Sequence, residues 1–160
     1  MAPVVSWPGM PDIETSLFRR AVVALNGGPS DARIVHLVAA QAAKTKAELI
    51  AVHVVEIDWT LPLDADIAGR SEDVQRVLDT GEAIAESYKL QMEPVLLQAR
   101  DVAAAIVDEA TERGADVLVV GLPYRKRFGG EFAIGRTIPY ILQNAPCVVW
   151  VVRDPIEESS

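Results

Sequence analysis

The chain alternates between short apolar runs and longer stretches in which apolar residues recur every three or four positions. Ala21-Val22-Val23-Ala24-Leu25 is a compact apolar run closed by the turn cluster Asn26-Gly27-Gly28-Pro29, which predicts a first strand. Beyond Ser30 and Asp31, either of which suits a helix N-cap, Ile34, Leu37, Val38 and Ala42 keep helical spacing to about Lys44. Residues 49–55 are apolar almost throughout, the pattern of a parallel strand covered on both faces. Residues 56–70 contain Pro62, Asp64 and Asp66 without a period and predict a long connection. Ser71 then opens a helix whose apolar face runs through Val74, Val77, Leu78, Gly81, Ile84 and Ala85, with Gly81 a weak point.

Residues 94–97 predict a third strand, and Asp101 suits the cap of a helix stopped by Gly114. A fourth strand over 116–120, a loop over 121–135, a short helix over 137–143 and a fifth strand over 147–152 complete the chain. Helical crossovers between short strands are right-handed and make the strands parallel. The expected fold is therefore α/β: one open, doubly wound sheet of five parallel strands with helices on both faces.

With 160 residues, 50% of them apolar, the chain fits one domain with a substantial core. We place that domain at 19–153, between an N-terminal extension over 1–18 and a tail over 154–160. The lone Cys147 borders an apolar run and reads as a small buried hydrophobe, which excludes a disulfide scaffold and a cysteine metal cluster. A net charge of −8 argues against sequence-independent nucleic-acid binding. No apolar run approaches the roughly 18 to 20 residues of a membrane span, and the N-terminus lacks the basic start and apolar middle of a secretion signal. A cytoplasmic protein that does not insert into membranes is expected.

An open α/β sheet binds ligands beyond the carboxyl ends of its strands, where the connections diverge. Here those positions are 26–30, 54–56, 98–100 and 121–137. The last holds four of the chain's 15 basic residues, Arg125, Lys126, Arg127 and Arg136, against one of its 23 acidic residues, Glu131. Gly121, Gly129, Gly130, Gly135 and a helix starting near Arg136 add free N–H groups and a favourable dipole, a combination suited to phosphate. A solvated basic loop has the same composition, and neither the phosphate-loop motif nor the dinucleotide glycine fingerprint is present. His36 and His53 lack metal-ligand spacing and are read as packing or surface residues. No nucleophile elbow or Ser/His/Asp set is visible, so a binding protein is expected and not an enzyme.

Strand one, Gly-Ala-Asp-Val-Leu-Val-Val-Gly at 114–121 and Asn-Ala-Pro-Cys-Val-Val-Trp-Val-Val-Arg at 144–153 stand in an order that resembles the universal stress proteins, over residues 19–153. The resemblance implies a Rossmann-like sheet in order 3-2-1-4-5, of the adenine-nucleotide alpha-hydrolase-like kind, and a regulatory role in the stress response. It also implies a homodimer joined through the fifth strand, where Val148 and Trp150 lie. An apolar edge strand seeks a pairing partner on physical grounds as well.

The ATP-binding branch of that family carries an Asp at the end of strand one and a Gly-x-x-Gly-(nine residues)-Gly-Ser/Thr motif after strand four. This chain departs from both. Asn26 replaces the Asp; Gly121 and Gly135 match the outer glycines but lie one residue too far apart; the middle glycine position falls on Tyr124 or Arg125. Arg136 follows Gly135 in place of the hydroxyl residue, with Thr137 next.

Two readings follow. In the first, Arg125, Lys126, Arg127 and Arg136 replace the lost backbone contacts with charge-assisted bonds. ATP or AMP then lies with its adenine and ribose on Asn26 and the Val54 backbone and its phosphates among Gly121, Arg125, Gly135, Arg136 and Thr137, with Mg2+ accompanying a triphosphate. In the second, Tyr124 or an arginine fills the phosphate site, leaving a dimeric interaction module whose basic loop contacts a protein partner.

Overall fold

The computed structural model describes residues 18–62, 72–123 and 134–156. In these segments strands and helices alternate: β1 (Arg20–Leu25), α1 (Ser30–Thr45), β2 (Glu48–Glu56), α2 (Glu72–Ser87), β3 (Met92–Ala99), α3 (Val102–Glu112), β4 (Val117–Leu122), α4 (Thr137–Asn144) and β5 (Val148–Arg153). The strands form one parallel sheet in the order β3-β2-β1-β4-β5, as the sequence led us to expect.

Side chains alternate along each strand, so the apolar strands feed two cores. On one face Ala21, Val23 and Leu25 of β1 pack with Ile34, Val35 and Val38 of α1 and with Leu78 and Ala85 of α2. On the other, Val22, Ile50, Val52, Leu118 and Val120 pack with Ile106 and Val107 of α3 and Ile138 and Ile141 of α4. The chain leaves β1 toward one face and β4 toward the other. Their neighbouring carboxyl ends therefore flank the point where an open sheet binds ligands.

Several local details differ from the sequence reading. Gly121 and Leu122, expected in a loop, extend β4 and pair with Val152 and Arg153 of β5. Neither Ser30 nor Asp31 caps α1; the N-cap position is Pro29, without a side-chain bond. The buried Ser30 instead donates its hydroxyl to Asp154 Oδ2 at 2.7 Å. Asp31 accepts from the backbone N–H groups of Asn26 and Gly27, at 3.1 and 2.8 Å, and so closes the turn that precedes the helix.

Asp101 does cap α3, accepting from Ala104 N at 3.0 Å, and that helix ends before Gly114, whose φ of +62° suits a residue without Cβ. Gly81 has a packing reason. A Cβ there would lie 3.2 Å from Leu25 Cδ1 and 3.3 Å from Met92 Sδ, so its absence lets α2 settle on the sheet. Phe18, placed by sequence in the N-terminal extension, is buried, with its ring edge-on to Trp150 at 5.6 Å. Ser71, Asp64 and Asp66 lie outside the described residues. Among the described residues no helix is long and apolar enough to cross a membrane.

Candidate functional site

A cleft of about 540 Å³ opens at the carboxyl ends of β1, β2 and β4. Its apolar wall comes from Ala24, Val54 and Val120 on the sheet, Val102 and Ile106 on α3, and Ile138 on α4. Its polar rim is Asn26, His53, Glu56 and Thr137. Val54 turns into this wall because Ile50, Val52 and Val54 share one face of β2, the face that α3 and α4 cover.

Five of the residues singled out from sequence come together here: Asn26, Val54, Gly121, Gly135 and Thr137. Arg136 stands between two of them, exposed, at the N-cap position of α4, where its side chain makes no capping bond. Arg125 lies outside the described residues, as do Tyr124, Lys126, Arg127, Gly129 and Gly130. The amino end of α4 opens on the cleft through Gly135, Thr137 and Ile138, presenting first-turn N–H groups that have no partner within the helix.

The two outer glycines serve different ends. Gly135 has φ +79° and nothing within 4 Å of the position of a Cβ, so the backbone conformation selects it. At Gly121 a Cβ would come within 2.8 Å of Ser30 Cβ, so close approach of α1 selects it whether or not a ligand binds.

The polar groups at the β1 end are fixed by short-range bonds. Asn26 Oδ1 accepts from Gly28 N at 2.7 Å, which commits the oxygen to the turn and leaves Nδ2 as the free donor. Burial pushes the Asp31 carboxyl above its usual range, an effect partly offset by the N–H groups of Asn26 and Gly27 and by the nearby His53. His53 Nδ1 lies 2.8 Å from Leu25 O, so a proton on Nδ1 donates to that carbonyl and a neutral ring keeps Nε2 as an acceptor. His53 was read from sequence as a packing or surface residue, and the structure sets it on the rim. The available signal was its position, one residue before Val54 at a strand's carboxyl end.

Among the described residues no group of three or more His, Cys, Asp or Glu side chains could hold a metal ion, so nothing there supports the magnesium expected with a triphosphate. The half-buried Cys147 packs beneath the α3–α4 core, and burial raises its thiol pKa, the opposite of an activated nucleophile. A larger open groove of about 990 Å³ lies at the amino ends of β2 and β3. Two ion pairs, Arg20 with Glu48 at 2.7 Å and Arg113 with Glu93, lie along it, and it sits at the end of the sheet opposite the point where the connections diverge, so the candidate site is the smaller cleft.

The sequence pattern of the Universal stress protein family matches residues 17–153. Sensor protein KdpD of Mycobacterium tuberculosis is 34% identical over 136 residues, which cover 85% of this chain and 14% of KdpD. The chain thus spans about one seventh of the length of that curated relative. A universal stress protein from Burkholderia pseudomallei superposes with a TM-score of 0.64 at 24% identity, over 88% of this chain and 98% of that one. The universal stress protein of Archaeoglobus fulgidus, solved in complex with dAMP, superposes with a TM-score of 0.65 at 20% identity, over 85% of this chain and 98% of that one.

Proposed function

The chain belongs to the universal stress protein family, and on that premise we propose that it is a stress-response regulator that binds an adenine nucleotide, of ATP or AMP type, at the carboxyl ends of β1 and β4. One observation carries the reading: an apolar slot, a fixed amide donor and the amino end of a helix converge on a single cleft at the sheet's divergence point. The Archaeoglobus relative of the same fold holds dAMP, which supports an adenine nucleotide as the ligand class.

In this reading the adenine ring packs on Val54, Val102 and Ile106 and meets Asn26 Nδ2 with a ring nitrogen. The phosphates lie against Gly135, Thr137 and the α4 amino end, where the dipole and the Arg136 guanidinium favour negative charge. The protein binds the nucleotide as a signal and does not turn it over. Two copies join through β5.

Mass identification of nucleotide that copurifies, with thermal-shift titrations of ATP and AMP in the presence and absence of magnesium, tests the proposal. A ligand at a hundredfold excess over Kd stabilises by about 2.7 kcal/mol, which in a domain of this size raises Tm by roughly 5 to 10 °C. No copurified nucleotide and no shift would overturn it.

A second reading has its own support. Because Ser30 already explains Gly121, that glycine is no evidence for phosphate, and an interaction module remains, its basic loop contacting a protein partner. In that case Arg125→Ala with Arg127→Ala would weaken a partner complex in a salt-sensitive way, with no nucleotide effect.

A further inference from the structure

Resting on the nucleotide reading of the cleft, we propose that Glu56 is the residue that recognises the ribose, and that it makes this cleft selective for ribonucleotides over 2′-deoxyribonucleotides. Glu56 is the last residue of β2 and lines the cleft two positions beyond Val54, so strand alternation turns both toward the same face. It is the one charged side chain in the cleft lining among the described residues, and no hydrogen bond or ion pair engages its carboxylate there.

The side-chain oxygens near the β1 end are already occupied. Asn26 Oδ1 is bound by Gly28 N at 2.7 Å, and the Asp31 carboxylate by the N–H groups of Asn26 and Gly27. Just past β1 the rim carries the uncharged amide of Asn26, and Glu56, at the end of the neighbouring β2, brings the charge.

A ribose presents two vicinal hydroxyls, and a carboxylate's two oxygens accept from both at once. Such charge-assisted bonds are about twice as strong as neutral ones. An acidic residue hydrogen-bonded to the ribose 2′-hydroxyl is the device that doubly wound folds use for dinucleotides. A phosphate is repelled from this position, so Glu56 also orients the ligand, with the sugar at the β2 end and the phosphate at the β4 end, by the α4 amino end and Arg136.

The test is calorimetric titration of the full chain with AMP and with dAMP, for wild type, Glu56→Gln and Glu56→Ala. Removing Glu56 also relieves repulsion of the phosphate, which shifts both ligands equally, so the ratio of the two affinities isolates the sugar contact. Wild type is expected to prefer AMP by about tenfold, Glu56→Ala to bind the two ligands equally, and Glu56→Gln, whose neutral amide still accepts a weaker bond, to fall between them. Glu56 is exposed at the strand end, and an unchanged Tm checks that the variants remain folded. A wild-type ratio near one, or a variant that keeps the wild-type ratio, overturns the assignment while leaving nucleotide binding in place. Wild type that binds neither ligand overturns the nucleotide reading and this inference with it.

Discussion

At Asp31, burial and hydrogen bonding act in opposite directions. Two backbone N–H groups favour its charge, yet desolvation is the larger effect and holds its pKa above the ordinary 3.8. The folded state then binds this proton more tightly than the unfolded state does. The resulting destabilisation is absent below about pH 3.8, grows as pH rises through the raised folded pKa, and is constant above it. Urea unfolding of wild type and Asp31→Asn from pH 3 to 7 should show the wild-type stability, relative to the variant, falling as pH rises; a rise would reverse the sign argued here. Arg136 makes a ligand prediction at the same scale. Arg136→Ala should weaken AMP much more than adenosine, because only the phosphate meets that side chain, and equal losses in calorimetry would exclude the contact. Of the candidate site, the sequence made legible the residues whose type is itself the signal. Asn26, Gly121, Gly135 and Thr137 fall in the cleft, but the reason for Gly121, the approach of Ser30, is a contact 91 positions away that no local pattern encodes. His53 escaped for a similar reason, since its role depends on the Leu25 carbonyl of the adjacent strand.

At the level of elements, local chemistry decides some boundaries and tertiary contacts decide others. Asp101 lies before an apolar-periodic run, and its carboxylate takes the Ala104 N–H in the structure, so here the pattern and the geometry agree. Asp101→Ala should cost about 1 kcal/mol, a loss of about 2 to 4 °C in Tm, measured by thermal unfolding; an unchanged Tm would mean that water replaces the cap without loss. The start of α1 follows no such rule. Ser30 has the chemistry of a cap, but its hydroxyl bonds Asp154 at 2.7 Å, just past β5, and so ties the helix to the far strand of the sheet. Arg33 Nε stands 3.2 Å from Asp154 Oδ1, while that oxygen has no aligned hydrogen-bond donor, so the pair attracts through charge without a directional bond. The end of β4 is likewise set from outside. Gly121 and Leu122 look like the start of a glycine loop, yet β5 pairs with both and keeps them in the sheet. Strand existence was readable because parallel strands buried on both faces are apolar throughout, and strand order came only from the resemblance to the universal stress proteins, whereas strand ends depend on the neighbour's length.

For the whole molecule, the feature that bears on assembly is the outer edge of β5. The strand order leaves it at one side of the sheet, paired to β4 alone among the described residues, and Val148 is 61% exposed there. The opposite edge, β3, is interrupted by Pro94 and carries the exposed Glu93, features that discourage pairing. The two edges are thus unlike, and β5 is the one suited to a second copy. The sequence reading assigned Trp150 to such an interface. In the structure its half-buried ring packs edge-on against the buried Phe18 within its own subunit, so in the proposed dimer the more exposed Val148 and the edge backbone carry more of the contact between copies. This separates two variants that sequence alone would treat as equivalent. Val148→Lys places a charge on the exposed edge and should convert a dimer to a monomer of 17.3 kDa by light scattering, with little change in the stability of the subunit. Trp150→Ala removes an aromatic contact from the subunit's own core and should lower Tm while leaving the edge able to pair. Wild type that scatters as 17.3 kDa at every concentration would exclude the dimer. A dimer that survives Val148→Lys but dissociates with Trp150→Ala would place the interface on the α1–α2 side of the sheet instead.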